Sequence, residues 1–118
     1  MLHQKSYAFA IRMVKMVKYL QEEKKEYVLS KQAMRSGTAI GALVREAEFA
    51  QSAPDFVNKL SVAVKEANET EYWLNILRDT DYIDEEAFQS LQGDCKELIA
   101  ILVSSIKTMK NKMNESKK

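Results

Sequence analysis

The feature that most constrains the fold is residues 35–77, where one helix-start signal separates two long helical patterns. In this signal, Ser52-Ala53-Pro54-Asp55, Ser52 is a good N-cap, proline is tolerated in a first turn, and Asp55 is an acid three residues after the cap. The apolar positions that follow alternate in steps of four and three: Phe56, Leu60, Ala63, Ala67, Thr70, Leu74 and Leu77. This spacing is typical of a helix that packs nearly parallel to its neighbours. The stretch therefore predicts a bundle of long helices.

Composition predicts a single folded domain over residues 1–118. With 46% hydrophobic and 30% charged residues, the chain falls in the range of folded proteins, and three Gly and one Pro leave little material for turns. No apolar run is long enough to cross a bilayer, and the N-terminus lacks the apolar core of a signal peptide. A single cysteine, Cys95, excludes an internal disulfide and suits a reducing compartment. We expect a cytoplasmic protein with no membrane partner.

Four helices are predicted, at about residues 5–24, 31–51, 53–80 and 85–113, and a basic C-terminal tail follows them. Ser30 and Asp84 are the expected N-caps of the second and fourth helices. Because short loops between long helices make sequence neighbours antiparallel, the predicted fold class is all-α, an antiparallel up-down-up-down four-helix bundle.

The first helix has an apolar arc that covers roughly half its surface, wider than one bundle seam needs. One stripe carries Phe9, Met13, Met16 and Leu20, and beside it lie Tyr7, Ala10, Val14 and Val17. This excess of apolar surface predicts a homo-oligomer, although the number of copies cannot be taken from periodicity.

Two glycines, Gly37 and Gly41, lie four residues apart inside the predicted second helix. Each costs about 1 kcal/mol relative to alanine in a helix interior, so a compensating close contact is expected. That contact is with another helix of the bundle or with another subunit. A phosphate-binding glycine loop is disfavoured because no strand precedes these glycines and no Gly-Lys-Ser/Thr follows them.

Several short motifs together resemble a known family. They are Ser36–Ala42 (SGTAIGA), Arg45-Glu46-Ala47, Asp55-Phe56, Glu69-Thr70 and Tyr72-Trp73-Leu74. In combination they are similar to the bacterial four-helix-bundle family first met in intervening sequences of 23S ribosomal RNA genes.

The resemblance implies a bundle that often assembles as a ring-like pentamer and has no established enzymatic activity. A related branch, the accessory proteins of diversity-generating retroelements, is markedly basic and binds nucleic acid, so the resemblance also implies RNA or DNA as a partner. Two positions depart from the family pattern: Leu43 replaces a frequent Asn, and Asp81 replaces the usual Gly of the turn between the third and fourth helices.

Charge is unevenly distributed along the chain. The net charge is only +1, which argues against a general nucleic-acid binder. Residues 107–118, however, hold five basic residues and one acidic residue. In an up-down bundle the start of the first helix and the end of the fourth lie at the same end, which predicts a positive pole there and an acidic pole at the other end. The expected positive pole contains Lys5, Lys107, Lys110, Lys112, Lys117 and Lys118, and the acidic one contains Asp79, Asp81, Asp84, Glu85 and Glu86.

A second basic group lies on the polar side of the first helix. Arg12, Lys15 and Lys18, with Tyr19 nearby, form a pattern that can hold phosphates and stack a base. The alternative interpretation is an ordinary solvated helix face.

Catalytic and metal-binding patterns are poor. His3 is the only histidine and lies near the N-terminus, and Cys95 falls on the inward stripe of the fourth helix. Three carboxylates, those of Glu46, Glu66 and Glu69, could hold a metal together, or they could pair with Arg35, Arg45 or Lys65, or with a neighbouring subunit. We expect ion pairs, no catalytic residue, no metal and no cofactor. At least one of Tyr72 and Trp73 is expected to be a packing anchor, because adjacent residues point to different sides of a helix.

Two functional hypotheses follow. The first is a nonenzymatic oligomeric bundle that associates with RNA or DNA. The alternative is a purely structural or protein-interaction bundle that binds no nucleic acid.

Overall fold

The computed structural model describes residues 1–116 and consists of four α-helices: α1 (Leu2–Glu23), α2 (Leu29–Glu48), α3 (Ala53–Asp79) and α4 (Glu85–Ser116). Each helix packs on its neighbours in the cycle α1–α2–α3–α4–α1, and the molecule measures 57 × 22 × 20 Å. The predicted all-α four-helix bundle is confirmed. The expected contribution of Lys117 and Lys118 to a positive pole lies outside the described residues. No described helix is long and apolar enough to span a membrane.

Two helix starts and one helix end follow from local chemistry. Ser52 Oγ accepts a hydrogen bond from the Asp55 amide at 3.2 Å, and Asp84 Oδ1 accepts one from the Ala87 amide at 2.8 Å, so both residues cap as predicted. The end of α3 closes through Asp81, whose φ is 65°. In this turn the amides of Tyr82 and Asp81 bond back to the carbonyls of Leu77 and Arg78.

The predicted cap of α2 is wrong. The helix begins at Leu29, one residue before Ser30, and its cap position is Val28, which offers no side-chain oxygen. The buried Glu26 carboxylate takes the capping role by accepting the amides of Val28, Leu29 and Ser30 at 3.1, 3.0 and 2.8 Å. Ser30 Oγ instead donates to the Glu26 carbonyl. A carboxylate that accepts three backbone N–H groups satisfies most of the unpaired donors of a helix start.

Other boundaries shift by a few residues. The first helix starts at Leu2, and α2 ends at Glu48, three residues before the expected end. There the amides of Phe49 and Ala50 bond to carbonyls three residues back, which tightens and ends the last turn. The fourth helix continues to Ser116 because neither Pro nor Gly follows Gly93.

The core lies on the bundle axis and is mostly aliphatic. Its largest fully buried side chains include Phe9, Met13, Leu20, Ile40, Leu60, Leu74, Leu77, Leu98 and Leu102. One polar pair lies within it, since Thr70 Oγ1 donates to Ser36 Oγ at 3.0 Å between α2 and α3. Both hydroxyls are fully buried and hydrogen-bonded, so this polar contact links α2 to α3 within the core.

Gly37 and Gly41 both face α1 of the same chain. A Cβ on Gly37 would lie 2.7 Å from Met13 Cγ, and one on Gly41 would lie 3.3 Å from the Ser6 carbonyl oxygen. The absence of these Cβ atoms therefore lets α1 and α2 approach closely within the bundle.

Candidate interaction surfaces

The apolar arc of α1 is divided by the bundle into a buried and an exposed part. Val17 joins the core, whereas Tyr7, Ile11 and Val14 are 64%, 41% and 37% exposed. With Ala10 they line a groove on the outside of the bundle, and Tyr7 and Ala10 also line an adjoining groove at the α1–α2 seam. From that seam the surface continues through Ala42 to the end of α2 and the 76%-exposed Phe49.

We call this surface the apolar strip. It consists of Tyr7, Ala10, Ile11, Val14, Ala42 and Phe49. Single exposed apolar residues are ordinary on protein surfaces, but Tyr7, Ala10, Ile11 and Val14 line one groove together, and such a set is typical of a contact surface. Arg45 and Glu46 line the part of the surface that holds Ala42 and Phe49. Ile11 and Phe49 were not among the apolar residues that the sequence analysis singled out.

Arg12, which was predicted to contact phosphates, instead forms an ion pair and a hydrogen bond within the chain. Its Nη1 lies 2.6 Å from Asp94 Oδ2 of α4, and its Nη2 donates to Ser90 Oγ at 2.9 Å. Lys5 forms a second bridge between the same helices, with Nζ 2.9 Å from Glu97 Oε1. These two bridges span the α1–α4 seam. The guanidinium of Arg12 therefore links α1 to α4, and these bonds compete with any ligand.

The other residues of the predicted α1 face divide between two surfaces. Lys15 and Tyr19 join Arg12 at a groove of about 470 Å³ between α1 and the start of α4. The floor of this groove is apolar, and Asp84 lies at its edge; the apolar residues are Met16, Ile83, Ala87 and Leu91. Lys18 lines the groove of the apolar strip, and Lys15 borders both grooves. The four residues thus line two grooves that meet at Lys15.

The lysines predicted for the positive pole extend along the last turns of α4. Lys107, Lys110 and Lys112 are exposed, and none of them forms an ion pair within residues 1–116. At the opposite end, Arg78 partly neutralises the acidic pole. Its guanidinium lies 2.9 Å from Asp79 Oδ1 and 3.9 Å from Glu85 Oε2, and it stacks 3.9 Å above the Phe88 ring.

Two of the three carboxylates considered for a metal site, Glu66 and Glu69, are instead joined to Arg35. Arg35 contacts Glu66 at 3.1 Å and also bonds to Glu69, which accepts a further hydrogen bond from Trp73 Nε1 at 3.0 Å. The Trp73 and Arg35 hydrogen bonds lower the pKa of Glu69 despite its partial burial. Within residues 1–116 no group of three or more metal-ligating side chains occurs. This network therefore ties α2 to α3.

Tyr72 and Trp73 differ in burial, as their adjacency predicts. Trp73 is half-buried against the core, whereas Tyr72 is 59% exposed and meets the Trp73 ring edge-on with centroids 5.1 Å apart. Trp73 has the position of a packing anchor, and Tyr72 remains open to a partner.

The remaining polar candidates have structural neighbours. Glu46 pairs with Lys59 at 3.1 Å, and His3 lies 3.2 Å from Glu48. Cys95 is buried, its Sγ donates to the Ala67 carbonyl, and burial raises the pKa of the thiol to about 12. A thiol with so high a pKa is a poor nucleophile.

Comparison with known proteins identifies a family and a solved relative. A family model described as 23S rRNA-intervening sequence protein matches residues 1–104 and confirms the resemblance. The crystal structure of a protein of unknown function from the S23 ribosomal protein family of Bacteroides thetaiotaomicron is 53% identical in sequence. It superposes with a TM-score of 0.90, covering 91% of this chain and 99% of that chain. No curated protein sequence matches.

Proposed function

The chain belongs to the 23S rRNA-intervening sequence protein family, and we propose that it is a nonenzymatic assembly module whose homo-oligomer associates with RNA or DNA. The four-helix bundle serves in this proposal as a rigid scaffold. Its surfaces, not an internal cavity, carry the function.

The observation that carries assembly is the apolar strip. Tyr7, Ile11 and Val14 face outward from α1 although the same helix already buries a complete core stripe. Covering such a surface with a second copy removes apolar area from water, and this burial stabilises the assembly by about 25 cal/mol per Å². The resemblance stated above supports a ring of five copies, and we propose that number on this ground.

Light scattering on the purified chain tests assembly. We expect an oligomer at micromolar concentration for the wild type and a smaller species for a double variant, Ile11→Glu with Val14→Glu. The control, Lys31→Gln with Gln32→Glu, makes the same change of charge at exposed positions of α2. A monomeric wild type would refute assembly, and an unchanged oligomer in the Glu variant would show that other residues form the contact.

Nucleic-acid association is supported by exposed cations that have no acidic partner within residues 1–116: Lys15 and Lys18 on α1 and Lys107, Lys110 and Lys112 on α4. Tyr19, 46% exposed beside Lys15, adds a ring on which a base can stack. We further propose a cytoplasmic location, which the single buried thiol suits.

Binding to RNA and DNA across a salt series separates this proposal from the alternative of a purely structural bundle. Because phosphate binding releases counterions, affinity must fall steeply as salt rises. If the wild type binds neither polymer at low salt, the structural alternative holds.

A further inference from the structure

The last turns of α4 differ from the rest of the bundle in that they contain no fully buried residue. The family match stops at residue 104, but the helix continues without a break to Ser116. We call residues 105–116 the α4 arm. The last fully buried residue of α4 is Leu102, which lies before the arm. The fully buried part of the core therefore ends within the residues that the family model matches, and Ile106 of the arm packs partly buried against it.

Contacts between helices fix how far the arm extends. Lys5 meets Glu97 across the α1–α4 seam, so α1 begins opposite roughly residue 100. Cys95 contacts the Ala67 carbonyl, and counting 14 residues along both antiparallel helices places Ala53, the start of α3, opposite Met109. The remaining seven residues, 110–116, therefore extend about 10 Å past the start of α3.

The charges of the arm differ from those of the bundle. Lys5 and Arg12 are each held by a carboxylate of α4, which leaves them little net charge to offer a ligand. The arm has three lysines against one glutamate, all four exposed. It has no aromatic residue on which a base could stack and no arginine for bidentate base contacts.

We propose that the α4 arm contacts the phosphate backbone of nucleic acid without reading its sequence, and that the bundle assembles without the arm. The inference rests on the proposed association with RNA or DNA. Lysine ammonium groups are point charges suited to phosphate oxygens, and with neither an aromatic residue nor an arginine in the arm we expect little preference among sequences. An oligomer repeats the arm in each copy, so weak single contacts add up.

The test compares two triple variants by their binding to a single-stranded RNA and to a duplex DNA of mixed sequence. The arm variant carries Lys107→Gln, Lys110→Gln and Lys112→Gln, and the control carries Lys24→Gln, Lys31→Gln and Lys65→Gln in the bundle. Both lose three positive charges at exposed positions.

Each lost phosphate contact reduces the slope of log affinity against log salt by about one unit. For duplex DNA, three contacts correspond to about 40-fold between 50 and 200 mM salt. We therefore expect wild type and control to lose about 40-fold more affinity over this range than the arm variant. A third variant that lacks residues 107–118 should assemble with the wild-type number of copies in light scattering.

Each contrary result overturns a different part of the proposal. Wild-type affinity and slope in the arm variant, with a loss in the control, would assign phosphate binding to the bundle and leave the proposed function standing. Absence of all binding by the wild type would overturn the proposed function together with the arm. Arm-dependent binding to phosphatidylserine vesicles but not to nucleic acid would identify a membrane surface as the partner instead. Dissociation of the truncated chain would show that the arm takes part in assembly.

Discussion

Replacing the three glycines of the chain by alanine, one at a time, should change stability in opposite directions at different sites. Alanine in a helix interior is favoured over glycine by about 0.8–1.0 kcal/mol wherever its methyl group has room. A Cβ on Gly93 of α4 would meet nothing within 4 Å, so Gly93→Ala should stabilise by about 1 kcal/mol.

At Gly37 the same change meets the core. The new Cβ would lie 2.7 Å from Met13 Cγ and 2.9 Å from Met13 Cε, and the Met13 side chain is fully buried. Overpacking of this kind costs about 1–3 kcal/mol, which outweighs the helix-propensity gain and leaves a net loss of up to about 2 kcal/mol. Gly41→Ala should fall between the two, because its Cβ would lie 3.3 Å from the Ser6 carbonyl oxygen and α1 must retreat by a few tenths of an ångström.

Thermal unfolding followed by circular dichroism measures these differences. With 118 residues and about 2.1 cal/mol/K of unfolding entropy per residue, 1 kcal/mol corresponds to about 4 °C in Tm. We expect Gly93→Ala to raise Tm by about 4 °C and Gly37→Ala to lower it by up to about 8 °C. All samples need one protomer concentration, because assembly shifts Tm. If Gly37→Ala raised Tm as much as Gly93→Ala, the close approach of α1 and α2 at Met13 would be refuted.

Two further predictions concern buried titratable groups. Glu26→Ala should destabilise by about 1–2 kcal/mol in urea unfolding, because three amides at the start of α2 lose their acceptor. Burial alone would raise the pKa of Glu26, but the hydrogen bonds from Ser30, Leu29 and Val28 bring it below the ordinary value of 4.5. The stabilisation by the Glu26 carboxylate should be complete above about pH 4.5 and should shrink as the pH falls through the lowered pKa. If the difference in stability between wild type and variant did not change on acidification, this prediction would be contradicted. Cys95, with a pKa of about 12, should stay unmodified by a thiol reagent at pH 8 in the folded protein and react fully in urea, so rapid labelling of the folded chain would contradict its burial.

The two caps predicted correctly and the one predicted wrongly show how far local rules reach. Ser52 and Asp84 each lie immediately before the helix they cap, so the capping bond closes within four residues. Glu26 reaches the start of α2 only because Lys25 takes a φ of 55° and turns the chain back on itself. Lysine gives no sign of that conformation in the sequence, since most residues with positive φ are Gly, Asn or Asp.

The candidate surfaces were less accessible to sequence reasoning than the helices. Arg12, Lys15 and Lys18 share the polar side of one helix in any helical projection. Whether Arg12 is free depends on α4, about 80 residues away, where Asp94 binds it, whereas Lys15 forms no ion pair within residues 1–116. Pairing between residues so far apart leaves no periodic signal in the chain.

The sequence by itself determined the helices and their class of packing. Caps and the four-three spacing of apolar residues act within one or two turns, so Phe56 to Leu77 specify the α3 core stripe without reference to the rest of the molecule. Only the tertiary structure decided which part of the α1 arc is left outside and which cations remain unpaired. Those outcomes depend on how the neighbouring helices cover α1: Val17 is buried while Val14, three residues before it, stays at the surface. Periodicity identifies the apolar residues of a helix, but the number and position of its neighbours determine how many of them are buried.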